Sequence, residues 1–197
     1  QVHFDDVGLT PGSTHTYTVV ARDSNGNSVV SSPVSVTIAD GEVPTYVDAV
    51  LNDSPDLYYP LGTVRADWGG SNAPVFGSGV TTTQTSQVKG TTTGFSSFSG
   101  TMTGRVSTSS NTAPPGDFSA ELWFSTNTNR GGKLIGYGNS QTGSSGSYDR
   151  HVYMTNQGRL IFGTYPGSVA TIQSPSSYND NKWHHMVATQ SAVDGMK

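Results

Sequence analysis

The sequence predicts an all-β protein, and three observations support this fold class. Ser and Thr together supply 52 of the 197 residues and Gly another 24, whereas only 12% of the residues are charged. Ala, Leu, Glu and Lys, which favour helices, are scarce compared with Thr, Val and Tyr, which favour strands. Apolar residues also recur at every second position in several segments, as expected for strands with one buried face. Because 32% of the residues are hydrophobic, the chain has enough apolar material for a core.

The first strands are predicted between residues 4 and 38. Tyr17, Val19 and Ala21 share one face of a strand, and Val34, Val36 and Ile38 share a face of another. The segment 23–27 between them contains Asp, Asn and Gly, which tolerate positive φ in turns, and residues 9–12 form a second predicted turn. The expected order is therefore strand, turn, strand, turn, strand.

This N-terminal segment resembles the last three strands of a fibronectin type III domain. The resemblance rests on Leu9, Pro11, Gly12 and Tyr17, whose spacing is similar to the tyrosine corner of such sandwiches. It implies a partial fibronectin-like sandwich over residues 1–38. Because three strands cannot bury a complete core, we expect the earlier strands of this sandwich to be missing on the N-terminal side.

A second domain is expected over residues 46–197, after a linker at 39–45 that is rich in Gly, Pro and acids. A helical turn is predicted within 48–55 and short strands between loops within 77–116. Stronger strands are predicted at the following segments: 118–125, 133–137, 150–155, 159–164, 169–174 and 183–190. Turns at 156–158 and 194–195 suggest two hairpins. Since only two residues follow the second turn, we expect the C-terminal strands to be missing and an edge to be unpaired.

The second domain resembles a bacterial laminin-G-like domain of the concanavalin-like jelly-roll class. The residues that carry this resemblance occur in order along the chain, in the segments 48–62, 118–124, 131–136, 148–154, 158–163 and 181–187. Neighbouring fibronectin-like and laminin-G-like modules are similar to modular exoproteins of Gram-positive bacteria or their phages. The resemblance implies an extracellular, secreted or cell-surface location, and a role in binding or spacing rather than chemistry.

Charge and composition exclude several classes of partner. The formal net charge is -4, and the ten basic residues are scattered, so no nucleic-acid footprint is expected. No apolar stretch has the length of a membrane helix, so membrane insertion is not expected. The absence of Cys excludes disulfides and thiol catalysis.

No catalytic residues are predicted. The chain has only two Glu, and Glu121 alternates with Trp123 on one face of its strand, opposite Leu122 and Phe124. A glycosidase needs two carboxylates flanking the scissile bond, and no such pair is visible. His184 and His185 are adjacent in a strand and so point to opposite faces, which favours a structural pair over a shared metal.

The candidate ligand site lies in the hairpin around 156–158. Tyr148, Asp149 and Arg150 precede it after a Gly/Ser loop, and Tyr165 ends the partner strand near the same open end. Exposed aromatic rings with convergent polar groups suit a saccharide. The alternative is that both tyrosines are core or rim residues, and Trp123 and Trp183 are expected in the core.

Calcium is the candidate cofactor, with Asp67 and Asn72 as ligands. The segment 67–72 resembles the acidic loop after the first strand of laminin-G-like domains, although its residue order differs. The alternative is that Asp67 and Asn72 form Asx turns.

The function expected from the sequence is a non-catalytic extracellular module pair that binds a polysaccharide or cell-surface glycan. Its other partners would be the remaining domains of the same polypeptide. The alternatives are a spacer or stalk in a surface or phage-tail assembly, and an accessory module of a glycoside hydrolase whose catalytic domain lies elsewhere.

Overall fold

The computed structural model describes residues 6, 7, 9, 12–38, 45–91 and 93–197. The chain is 4% helical and 40% strand, which confirms the all-β class. Its contacts divide it into two compact units, residues 1–73 with 82–97 and residues 74–81 with 98–197. Most of the predicted linker at 39–45 lies outside the described residues, and the predicted domain boundary there stays a prediction.

The first unit contains two small antiparallel sheets. Their strands are β1 (Thr14–Tyr17), β2 (Val20–Arg22), β3 (Ser28–Val30) and β4 (Val34–Thr37). β1 pairs with β4 from Thr14 opposite Thr37 to Tyr17 opposite Val34, and β2 pairs with β3. None of the residues in these four strands is buried.

The two long strands predicted here are each broken once, because a side chain replaces the backbone ladder at the break. The Ser31 hydroxyl accepts a hydrogen bond from the Val19 amide at 2.9 Å, while the Ser31 amide donates to the Val19 carbonyl at 2.8 Å. Pro33 then has no N–H to donate before β4 begins.

The predicted turn at 23–27 is present. The Asp23 carboxylate accepts from the amides of Asn25 and Asn27, both at 2.9 Å, and Gly26 adopts a φ of 86°. The predicted turn at 9–12 and the start of the first strand at Phe4 fall partly outside the described residues.

The helical turn predicted within 48–55 is a seven-residue helix, α1 (Tyr46–Asn52). It begins with a capping box, in which Thr45 and Asp48 each accept a hydrogen bond from the other's backbone amide. The helix therefore starts two residues earlier than the sequence pattern predicts.

Eleven further strands follow along the chain. Four are short: β5 (Pro74–Phe76), β6 (Val80–Thr82), β7 (Ser96–Phe98) and β8 (Val106–Thr108). The longer ones are β9 (Phe118–Ser125), β10 (Gly132–Gly138), β11 (Tyr148–Met154), β12 (Arg159–Thr164), β13 (Ala170–Ser177) and β14 (Trp183–Ser191), with a two-residue β15 (Gly195–Met196). The predicted short strands between residues 77 and 116 are thus present, and all six stronger strands are found close to their predicted bounds.

The second unit is a sandwich of two antiparallel sheets. One sheet has four strands in the order β10, β11, β12, β13, and the other has three in the order β15, β14, β9. The core between them is formed by inward-facing residues of both sheets: Phe124, Val152, Met154, Phe162, Met186 and Ala188. Phe118 closes one side, its ring centroid 5.8 Å from that of Phe162 in an edge-to-face contact.

The C-terminal turn differs from the expectation that no strand returns after it. β15 pairs with β14, Gly195 opposite Ser191 and Met196 opposite Gln190, and Lys197 exchanges two backbone hydrogen bonds with Thr189. The edge of β14 is therefore paired at this end, because two residues suffice to begin an antiparallel ladder.

Candidate functional site

The open end of the β11–β12 hairpin carries the two predicted tyrosines. Tyr148 is 63% exposed and Tyr165 is 59% exposed, so neither is a core residue. The Asp149 carboxylate accepts a hydrogen bond from the Tyr165 amide at 2.7 Å, which ties the two strand ends together. The predicted proximity of Tyr148 and Tyr165 to one end of the hairpin is therefore present.

Asp149 and Arg150 hold this end in place. The Asp149 carboxylate also accepts from the Arg150 amide at 2.7 Å and forms an ion pair with the Arg150 guanidinium. The guanidinium donates from Nε to the Pro115 carbonyl at 2.6 Å and lies 5.8 Å from the centre of the Phe118 ring. Both charged groups are thus already engaged, and their observed role is to position the tyrosines.

A β-bulge in β11 accompanies this arrangement. Between the pairs formed by Ile135 with Val152 and by Tyr137 with Asp149, β11 advances three residues while β10 advances two. Arg150 lies in this interval with a φ of 46°, in the left-handed region that is costly for a side chain. The hydrogen bonds and ion pair of Asp149 and Arg150 stabilise this strained position.

Three residues that the sequence analysis did not place in the site lie beside Tyr148. Val152 and Met154 point into the core, so His151 and Tyr153 point to the opposite side of the sheet. We call this opposite side of the four-stranded sheet its outer face. Lys133 is directly opposite Tyr153 across the β10–β11 ladder and belongs to the same face.

His151 is at the centre of this group. Its ring makes edge-to-face contacts with Tyr148 at 5.0 Å and with Tyr153 at 6.1 Å, measured between ring centroids. Its cross-strand partner is Gly163, whose lack of a side chain leaves space on the outer face. Alternation around Val152 is the signal in the sequence that could have grouped His151 with Tyr153.

The electrostatics of His151 are unusual for a surface histidine. Both ring nitrogens are buried, and neither has a hydrogen-bond partner among the described residues. Burial, and secondarily the charge of Lys133, lowers the pKa of His151 to about 4, so the ring is neutral at pH 7. A neutral imidazole offers one donor and one acceptor. Partial burial also lowers the pKa of Lys133.

The outer side of the three-stranded sheet has a different cluster. Trp123 and His185 are cross-strand partners whose rings stack with centroids 4.6 Å apart and planes 16° apart. His185 Nε2 lies 2.8 Å from Glu121 Oε1. Trp123 is 37% exposed on this side, so the expectation that it is a core residue is wrong, because Leu122 and Phe124 take the inward positions. Trp183 is half-buried.

The two adjacent histidines point to opposite faces, as predicted. His184 lies on the inner side against the rings of Phe124 and Tyr178, and its Nε2 is 2.7 Å from Asp180 Oδ1. This hydrogen bond lowers the pKa of Asp180. In the described part of the chain, no group of three or more His, Cys, Asp or Glu side chains could hold a metal ion.

The loop predicted to bind calcium is held together by Asp67. Its Oδ1 accepts from the amides of Tyr58 at 2.9 Å and Gly69 at 3.1 Å, and its Oδ2 accepts from the Asn72 amide at 3.0 Å. The Tyr59 hydroxyl donates to the Asn72 carbonyl. Burial, then the charge of Asp67, raises the pKa of Tyr59 to about 12. The donors around Asp67 are N–H groups rather than oxygens, so these contacts fit a loop-closing carboxylate better than a calcium cage.

No helix among the described residues is long and apolar enough to cross a membrane.

Comparison with known proteins identifies the second unit. Residues 98–196, half of the chain, match the family model of the concanavalin A-like lectin/glucanases superfamily, in its third laminin-G class. The match covers both sheets of the sandwich and the whole candidate site on β10, β11 and β12. Domains of this type are commonly non-catalytic carbohydrate-binding modules.

No curated protein and no solved structure matches the chain significantly. The predicted resemblance is therefore shown for residues 98–196, while the fibronectin-like assignment of residues 1–38 stays a prediction. On the family match, the chain belongs to the concanavalin A-like lectin/glucanases superfamily.

Proposed function

We propose that this chain is a non-catalytic module that binds a polysaccharide or cell-surface glycan as part of a larger secreted or surface protein. The observation that carries the proposal is the pair of exposed tyrosines, Tyr148 and Tyr165, fixed at one end of the β11–β12 hairpin by Asp149. Rigid, exposed aromatic rings stack on sugar rings at little entropic cost. The frequent carbohydrate-binding role of the family adds support.

A glycan array tests this proposal directly. Wild-type protein should be retained by one glycan class, and Tyr148→Ala or Tyr165→Ala should reduce retention by about tenfold, as expected for loss of a stacking ring worth ~1.5 kcal/mol. Trp123→Ala, which removes an aromatic ring from the opposite sheet, is the matched control and should bind normally. Retention by no glycan would leave the spacer or stalk role as the better account.

An enzymatic role ranks well below binding and spacing. Glu121 is the single Glu of the second unit, and its carboxylate is hydrogen-bonded to His185 rather than paired with a second acid. Inverting and retaining glycosidases both need two carboxylates. Release of reducing ends by the protein, abolished by Glu121→Gln, would reverse this ranking. An accessory role beside a separate catalytic domain remains compatible with binding.

Calcium binding at Asp67 and Asn72 stays a prediction with its own test. Asp67→Ala removes three hydrogen bonds to a carboxylate, and we expect it to lower stability by about 1.5–3 kcal/mol. If the carboxylate only closes the loop, this loss should be equal in excess calcium and in excess chelator. A wild-type melting temperature that rises with calcium, with no rise in Asp67→Ala, would support the calcium site instead.

The fibronectin-like assignment is also part of the proposal. Its support is the antiparallel pairing of β1 with β4 and the hydrogen bond that Tyr17 donates to Asp6 at 2.7 Å, from a tyrosine predicted to form a corner. This bond raises the pKa of Tyr17. Tyr17→Phe should speed amide exchange in β1 and β4 and leave β9–β14 unchanged. Equal exchange in wild type and variant would remove the corner role.

A further inference from the structure

We infer that the outer face of the four-stranded sheet selects acidic saccharides, with Lys133 meeting the negative group and His151 a neighbouring hydroxyl. This inference rests on the proposed glycan-binding function and adds the chemical class of the glycan. It depends on the charge distribution in the second unit, the free polar groups of the face, and its aromatic rings.

The charges of the chain are divided unevenly between its two units. Residues 74–81 and 98–197 contain seven Lys or Arg against five Asp or Glu, a formal charge of +2, although the whole chain carries -4. The neighbouring loop at 139–147 contains no charged residue. The candidate face therefore belongs to a locally basic unit, in which an anionic ligand is attracted.

The four strands that form the face contain a single acidic residue, Asp149. Its carboxylate is already paired with Arg150 and hydrogen-bonded to the Tyr165 amide. Lys133 has neither an ion pair nor a hydrogen bond with any residue the structure describes. The other lysines of this unit are paired, Lys182 with Asp180 and Lys197 with Asp194. A carboxylate or sulfate on a sugar would give Lys133 the partner that the protein does not.

His151 adds a second open position next to that cation. Its ring nitrogens are buried without partners among the described residues, which is costly unless a ligand satisfies them. Gly163 opposite it leaves room for a ligand atom to approach. A neutral imidazole pairs well with a sugar hydroxyl, which can both donate and accept.

Aromatic rings flank both polar groups. Tyr148 and Tyr153 lie on either side of His151, at 5.0 and 6.1 Å between ring centroids, and Tyr153 is opposite Lys133. Their exposed fractions are 63% and 37%. Rings for stacking beside a cation fit a charged sugar better than a charged peptide, which has no flat apolar ring face to cover them.

Binding to four soluble polymers tests the inference: polygalacturonate, dextran sulfate, neutral dextran and polyglutamate. We expect polygalacturonate or dextran sulfate to bind at least about tenfold more tightly than dextran, with an affinity that weakens as salt is raised. The two acidic polymers distinguish a carboxylate from a sulfate as the preferred group. Polyglutamate, which has the charge without the sugar ring, should bind weakly.

Variants assign the effect to the face. Lys133→Gln should weaken binding of the acidic saccharide about tenfold, the equivalent of ~1.4 kcal/mol for one charge-assisted hydrogen bond. Lys182→Gln removes the same charge elsewhere in the unit and should change binding less than twofold. His151→Phe keeps the packing and removes both nitrogens, and it should weaken binding of acidic saccharides in the same assay. Melting curves verify that each variant is folded.

The outcomes separate the two levels of the argument. Equal binding of neutral and acidic saccharides, unaffected by Lys133→Gln, would overturn the acidic preference and leave the glycan-binding proposal standing. Equal binding of polyglutamate and polygalacturonate would overturn saccharide recognition at this face. Binding of no saccharide, on these polymers and on the array, would overturn both proposals.

Discussion

The two sheets of the sandwich share one core but differ on their other sides. On the three-stranded sheet, Trp123, His185 and Glu121 satisfy one another by stacking and hydrogen bonding. On the four-stranded sheet, Lys133 and His151 find no polar partner among the described residues. Buried or half-buried polar groups that are mutually satisfied add structure, whereas unsatisfied ones are costly until something binds them. This difference in hydrogen-bond satisfaction is the reason that only one of the two surfaces is a candidate site.

The largest expected effect comes from the core that both sheets share. Phe162 is 5% exposed between the sheets, and Phe162→Ala should lower the free energy of unfolding by about 3–5 kcal/mol. Ile161→Ala changes the next residue, which points outward, and should cost less than half as much. Equal losses in urea denaturation would mean that the two sides of β12 are not distinct as described.

A smaller effect should appear in the pH dependence of stability. His151 has a folded pKa of about 4 against an ordinary value of 6.5, so the unfolded chain binds more protons between these values. Its contribution is complete above about pH 6.5 and is lost as the pH falls towards 4. Partial exposure reduces the size of this loss to about 1–2 kcal/mol.

His151→Phe should remove that part of the pH slope. Urea denaturation of wild type and variant at pH 7 and pH 4.5 measures the difference, which cancels other groups, including Asp180 with its own lowered pKa. A slope unchanged by the substitution would show that the ring is solvated and has no unmet hydrogen bonds.

The smallest effect is expected in the satisfied cluster of the other sheet. Glu121 and His185 are each more than a third exposed, so their coupling free energy should be only about 0.2–1 kcal/mol. A double-mutant cycle with Glu121→Ala and His185→Ala measures it. Saccharide binding should be unchanged in all three variants, and a loss of binding would move the candidate site to this sheet.

The sequence predicts the sandwich strands better than it predicts the site. β9 and β12 are found at their predicted bounds, Phe118–Ser125 and Arg159–Thr164, because alternation and flanking turns are local signals. The exposure of Trp123 was not predictable in this way. It depends on the stacking partner His185, which lies on a strand about sixty residues away, and on a register that local patterns do not specify.

The same limit explains why Lys133 and Tyr153 were missed. Each is an ordinary residue within its own strand, and they become a site only through the pairing of β10 with β11. In the N-terminal unit, the Ser31 hydrogen bonds that interrupt two predicted strands are likewise contacts between segments distant in sequence.

The bulge at Arg150 has a consequence for how this surface can vary. In a regular strand, Tyr148 would have the same parity as Val152 and Met154 and would point into the core. The extra residue reverses the phase of β11, and the Tyr148 ring lies beside His151 instead. A single-residue deletion at Arg150 would restore the parity and withdraw the ring from the surface. Ligand recognition at this hairpin can thus be gained or lost by an insertion or deletion of one codon, with no change to any residue that would touch the sugar.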